Sequence, residues 1–262
     1  MSCNAATLAQ IAVFNTTTDA GEGAIWMSGQ GLLGDASGNA FSMVGNGSTT
    51  ASSGGSSYGN SFIKFAGNNL SLLDWFMPYN AESLSNADLD VGSSGPVLIP
   101  GTSLLVGGGK QGILYLIDTK KMGHCNSSGD TQIVQKSQAS NDEIFNTPVF
   151  WNNPSNPLLF LWAQSQGLKA FSFNNGLFQT TPVAQNNTVT PSQPGGTLSI
   201  SANANALEPP SFGRLTPLRA APCRNASRRG SERPWGARNP TRGILACKFL
   251  TSRVSVSGDW FL

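Results

Sequence analysis

From Gly95 to Asp118 the chain reads GPVLIPGTSLLVGGGKQGILYLID. Three short apolar runs, Val97 to Ile99, Leu104 to Val106 and Ile113 to Ile117, are parted by Pro100-Gly101-Thr102-Ser103 and by Gly107 to Gly112. Val, Ile, Leu and Tyr favour extended backbone, and the Gly and Pro spacers have room only for hairpins. The pattern therefore predicts three antiparallel strands with no crossover helix. Ile113-Leu114-Tyr115-Leu116-Ile117 is apolar at every position rather than at every second one, so both faces of that strand are expected to be covered. Without helices the cover must be other sheets, and small sheets stacked on both sides are what a β-propeller supplies.

The same punctuation recurs along the chain. After a turn, an outer strand is predicted over Gln10 to Phe14, and a first unit has strands over 31–36, 40–45, 61–66 and 70–76. A second unit covers 95–99, 104–108, 113–118 and 131–136, a third covers 147–151, 158–163, 168–173 and 177–181, and 196–202 opens a fourth. The third strands begin at 61, 113 and 168, intervals of 52 and 55 residues. A four-strand unit recurring at about 40 to 55 residues marks a propeller blade. Asn46 to Asn60, almost wholly Ser, Thr, Gly and Asn, reads as a flexible insertion on one rim. The expected fold is all-β, a partial β-propeller of about three complete four-stranded antiparallel blades plus parts of two more.

Charge divides the chain in two. Residues 1–213 carry 6 lysines, no arginine and 12 acidic residues, a net of −6. Residues 214–262 carry 9 arginines and 1 lysine against 2 acids, a net of +8. The basic stretch has no strand or helix period and scatters Pro217, Pro222, Pro234 and Pro240. Text of that kind is what a shifted reading frame in GC-rich DNA produces, so 214–262 is expected to be a non-native or disordered tail rather than a nucleic-acid arm. No nucleic-acid partner is expected. Met1-Ser2-Cys3-Asn4 does not open a signal peptide, and no stretch of about 20 apolar residues suits a membrane span. Cys3, Cys125, Cys223 and Cys247 lie at irregular spacing, which supports neither a disulfide framework nor a zinc site.

The wording of the repeats, IWMSGQGLLGDASGNAFSMVGNG, SFIKF, DLDVGSSGPVLIPG and LLVGGGKQGILYLIDTKKMGH, resembles bacterial proteins with pyrroloquinoline-quinone-like (PQQ-like) β-propeller repeats, the quinoprotein alcohol dehydrogenase-like group. The resemblance covers roughly residues 1–210, where such propellers have about seven or eight blades. The group's usual blade ending is Ala-x-Asp, then Gly, then Trp. Leu116-Ile117-Asp118 with Gly123 keeps the Asp and Gly but lacks the Trp, and Ala170-Phe171-Ser172 with Gly176 loses the Asp. The resemblance implies a periplasmic or extracellular parent. Its dehydrogenases use PQQ and calcium, a carboxylate base and an adjacent cysteine pair, and that pair is absent from this chain.

Candidate chemistry is sparse. Gly29 to Gly34 matches G-x-G-x-x-G, but Asp35 to Asn39 is a turn where a dinucleotide site needs a helix. Gly107-Gly108-Gly109-Lys110-Gln111 lacks the Ser or Thr that follows the lysine of a phosphate loop, and is expected to be a hairpin. His124 is the sole histidine, so neither a catalytic triad nor a multi-His metal site can be assembled around a second one. Asp142 and Glu143 are a second acidic pair. Asp88 and Asp90, in Asn86-Ala87-Asp88-Leu89-Asp90, are the candidate metal ligands, with calcium as the cation, set against the alternative that both hold a tight loop. Trp26, Trp75, Trp151 and Trp162 are expected to fill space between blades.

These residues favour a fragment of a non-catalytic propeller acting as an extracytoplasmic scaffold or binding module for a protein or carbohydrate ligand, with no cofactor. The alternative is a fragment of a PQQ- and calcium-dependent dehydrogenase oxidising alcohols or sugars. An arc of blades leaves apolar faces at its ends, so self-association is expected as well.

Overall fold

The computed structural model describes residues 1–190, 192–201 and the backbone of 211–215, so the expectation for the basic stretch lies, from 216 on, outside the described residues. Met1–Leu215 form one compact unit. It begins with a hairpin of β1 (Ser2–Cys3) and β2 (Gln10–Ala12). Three meandering antiparallel sheets follow. The first holds β3 (Leu33–Gly34), β4 (Asn39–Met43), β5 (Phe62–Ala66) and β6 (Leu72–Phe76). The second holds β7 (Val97–Leu98), β8 (Leu104–Gly108), β9 (Ile113–Asp118) and β10 (Gln135–Gln138). In the third, β11 (Val149–Trp151), β12 (Leu158–Leu161) and β13 (Lys169–Asn174) are followed by two short strands, β14 (Leu177–Phe178) and β15 (Ala184–Gln185), which share the outer edge of β13. A last hairpin pairs β16 (Thr197–Ser201) with β17 (Ser211–Leu215).

The protein is thus all-β, built from four-stranded antiparallel sheets whose strands stand in chain order. The sheets stack face to face, and β9 shows why its sequence carries no polar alternation. Ile113, Tyr115 and Ile117 pack with Phe41, Met43, Phe62 and Phe76 of the first sheet. Leu114 and Leu116 point the other way, onto Leu159, Leu161, Phe171 and Phe173 of the third. The five residues from Ile113 to Ile117 are at most 8% exposed, each worth about 1.5–3 kcal/mol where an aliphatic or aromatic side chain is fully withdrawn from water. The outer face of the first sheet, with Ile63 and Phe65, receives Phe14 from the chain just after β2. Leu158, Phe160 and Ala170 on the far face of the third sheet receive Leu198 and Ile200 of β16.

Glycine shapes the β8–β9 turn. Gly112 has φ +74°, and a Cβ on Gly109 would collide with the backbone oxygens of Asp90 and Val91. The turn can therefore lie directly against the segment that leads into its own sheet.

Several expectations need correction. The stretch 46–60 is an insertion between β4 and β5, as expected, but an ordered rather than a flexible one. It contains a 3-10 turn, Thr50–Ser53, and is tied to Asp19, which accepts hydrogen bonds from Ser57 Oγ, from Ser48 Oγ at 3.1 Å and from Thr50 Oγ1 at 2.5 Å. Small hydroxyl side chains can satisfy one another and the backbone as readily as they solvate a linker, so composition alone could not separate the two cases. The fourth strand of the second sheet lies at Gln135–Gln138 rather than 131–136, and that of the third is split by a loop. A short helix, α1 (Ala81–Asn86), was not foreseen; it docks Ala81 and Leu84 inward.

Candidate functional site

Each sheet is entered through a short segment along one rim of the stack, and these segments make the same contacts in turn. The amide of Gly45 donates to Ala24 O at 2.9 Å, that of Lys110 to Asp90 O at 2.9 Å, and that of Gln164 to Glu143 O at 3.0 Å. In each case the turn after a sheet's second strand is fastened to that sheet's own lead-in. Side chains then link one lead-in to the next. Ser28 Oγ donates to Ser93 O at 2.8 Å, Ser93 Oγ to Ile144 O at 2.7 Å, and Asn146 Nδ2 to Pro194 O at 2.8 Å.

Where the rims of the first and third sheets and the last hairpin meet, a cleft of about 360 Å³ opens between Met27, Ser28, Gly29 and Gln30 on one side and Asn146 to Val149, Thr197 and Leu198 on the other. Its walls carry amides, hydroxyls and apolar groups, with no ionisable side chain. Gln30 anchors one wall: its Nε2 donates to Pro96 O at 3.1 Å and its Oε1 accepts from Thr147 Oγ1. Thr197 Oγ1 donates to Asn146 Oδ1 at 2.8 Å on the opposite side. Such a surface can hold a neutral, hydrogen-bonding ligand but supplies no group to move a proton at neutral pH.

Asp88 and Asp90 are brought together, 22 and 20 residues before the lysine that joins them. Lys110 Nζ lies 2.8 Å from Asp88 Oδ1 and 2.7 Å from Asp90 Oδ2. Asp90, 6% exposed, also accepts from the Asn46 amide at 2.7 Å and from Trp26 Nε1 at 3.4 Å. Asn46 Nδ2 donates to Asp88 Oδ1 at 2.8 Å. The Lys110 hydrogen bond, chiefly, holds the Asp88 carboxyl below its ordinary value. Burial pulls the Lys110 ammonium down, but hydrogen bonds to the two aspartates outweigh it, and its net shift is upward. Calcium takes about 6–8 oxygen ligands. Here the position between the two carboxylates belongs to an ammonium, so the residues present do not fit that ion. The same geometry shows the Gly107–Gln111 stretch as a hairpin whose lysine serves this cluster.

Other candidates stay apart. His124 Nε2 lies 3.1 Å from Asp74 Oδ1 and its ring stacks on Trp75 at 4.5 Å, remote in sequence from every cleft residue. Asp142 accepts from Gln166 Nε2 at 2.7 Å and Glu143 from Gln193 Nε2 at 3.2 Å, so this acidic pair is divided between two partners. Cys3 is exposed, whereas Cys125 is half-buried and burial pushes its thiol up. Among the described residues no three His, Cys, Asp or Glu side chains are grouped to hold a metal ion. None of the described helices is long and apolar enough to cross a membrane. Trp26 stands 6.3 Å from Phe145, bridging two lead-ins.

Of the residues that line the cleft, only Gly29 and Gln30 were singled out from sequence, and only as part of the Gly29 to Gly34 glycine motif. A signal did exist: Pro96-Val97 and Pro148-Val149 open successive sheets in the same words, which aligns the lead-ins and makes the polar residues just before them comparable. No model of a known protein family matches the chain, and no curated protein matches it.

Proposed function

We propose that residues 1–213 belong to a non-catalytic PQQ-like β-propeller, an extracytoplasmic scaffold or binding module that takes a neutral protein segment or carbohydrate at its inner rim. The observation that carries this reading is the lining of the rim cleft: amide and hydroxyl groups from Ser28, Gln30, Asn146, Thr147 and Thr197 beside apolar Met27, Val149 and Leu198. Peptide backbone and sugars offer matching donors, acceptors and apolar edges. The pairing of Asp88 and Asp90 with Lys110 supports the same reading, because it commits these two carboxylates to an ammonium rather than to a calcium ion beside a quinone. The Asn, Ser, Thr and Gly richness of 1–213 is in keeping with a bacterial protein working outside the cytoplasm.

The test has two arms. Incubation with PQQ and calcium should give neither dye-linked alcohol oxidation nor a shift of the quinone absorbance. Either signal would replace this reading with that of a quinoprotein dehydrogenase. A panel of neutral oligosaccharides and short peptides, screened by thermal shift, should yield binders whose affinity is unchanged over about a tenfold rise in ionic strength, since no charge pair crosses the interface. Binding that collapses with salt would refute the neutral-ligand reading.

A further inference from the structure

The first two full sheets contain four strands and the third five, each running in chain order from its first strand to its last, and the described chain also holds two two-stranded sheets that stand as half-sheets. Of these, β16–β17 stands in the inner position: β16 follows a lead-in, Gly196 N donating to Trp162 O at 3.2 Å, and packs Leu198 and Ile200 on the third sheet. The β1–β2 hairpin stands in the outer position. Its second strand runs through a rim segment into β3, as β6 runs into β7 and β10 into β11, and Phe14 beyond it meets Phe65 of the first sheet at 4.8 Å. One end of the stack supplies the first two strands of a sheet and the other end supplies the last two.

The surfaces match as well as the strand order. Ala12 and Ser2 are paired and partly buried, whereas Ile11 and Val13, which alternate with Ala12, are 54% and 63% exposed. On the third sheet Leu177 pairs with Asn174 and shares the face of Leu158, Phe160 and Ala170, yet it is 47% exposed, because the last hairpin covers only the inner part of that face. The opposite side of β16 presents Thr197, Ser199 and Ser201 to solvent, a poor match for an apolar hairpin. The complement to Ile11 and Val13 is thus the uncovered outer part of the third sheet, beside the edge of β17.

We propose that the β1–β2 hairpin of one copy docks beside β17 of a second copy, completing its fourth sheet and covering Leu177 with Ile11 and Val13. The contact is head-to-tail, so it propagates into a closed ring of two or more copies or into an open chain.

The full chain, run in sedimentation equilibrium over a wide concentration range, should contain species above monomer mass. I11K/V13K spoils only the donating hairpin and L177K only the receiving face. Each variant alone should lose all species above monomer, with unchanged far-ultraviolet circular dichroism, since the altered side chains are exposed. Mixed in equal amounts, the two should form a dimer and nothing larger, because one intact pair of surfaces remains. A monomeric wild type, including one whose hairpin folds onto its own fourth sheet, overturns the proposal. So do variants that assemble undiminished, and so does a mixture that stays monomeric.

Discussion

The second sheet and the N-terminal hairpin both place isoleucine in a strand, and the two meet opposite fates. In β9 the five residues from Ile113 to Ile117 are nearly withdrawn from solvent because a sheet lies on either side. In β2 the same kind of side chain, Ile11, is 54% exposed, and only Ala12 of that strand is partly buried. Apolar character therefore does not by itself tell where stability resides in this protein. The number of covered faces does, and it falls from two at the centre of the stack to one at its ends.

Substitutions should sharpen that contrast. Phe62→Ala, at the contact between the first and second sheets, should lower the unfolding free energy by about 3–5 kcal/mol in urea titration. Ile11→Ala, measured at a concentration where the chain is monomeric, should change it by no more than about 0.5 kcal/mol. Equal losses would mean that the hairpin is as deeply packed as the centre.

Lys110→Met should cost about 1–3 kcal/mol by the same measurement, because buried Asp90 loses its ammonium while keeping the Asn46 amide and Trp26 Nε1. Asp88→Asn should cost much less, as the Asp88 side chain is 80% exposed. If calcium raised the stability of Lys110→Met but not of the wild type, the two aspartates would be shown able to hold a metal once the lysine is gone.

Acid should act first on aspartates at loop closures. Burial raises the Asp35 carboxyl, but hydrogen bonds from the Asn39 side chain and from the Asn39 and Ser37 amides outweigh it and leave its pKa below the ordinary value. A carboxyl depressed in the folded state contributes stability that is present above roughly pH 4 and is lost as pH falls through its folded value. The urea midpoint should therefore drop below about pH 4, and Asp35→Asn should flatten part of that drop. The smallest effect belongs to Ser42, whose fully buried hydroxyl has no hydrogen-bond partner. Ser42→Ala should be neutral or slightly stabilising, which a thermal melt would register as an unchanged or higher midpoint.

Much of the architecture was legible because local chemistry and tertiary environment agree where strands are covered twice. The run from Ile113 to Ile117 announced two neighbours, and the Gly107 to Gly112 spacer announced a hairpin. Legibility failed where polar residues do structural work. The 46–60 stretch looked like a flexible insertion because Ser and Thr hydroxyls bonded to Asp19 are spelled the same as hydroxyls bonded to water. Asp88 and Asp90 were visible as a pair, but Lys110 was visible only as part of a glycine turn. Its place between them depends on Gly109 letting two loops touch.

By itself the sequence determined the strand type, the repeat and the need for sheets on both faces, since each follows from side-chain branching, turn chemistry and hydrophobic period over a few residues. Only the tertiary structure decided which polar groups meet: the chain of Ser28, Ser93 and Asn146 around the rim, the Lys110 clasp and the neutral cleft. Those contacts join positions dozens of residues apart, and a hydrogen bond forms or fails over about 1 Å, a precision that residue order along the chain does not carry.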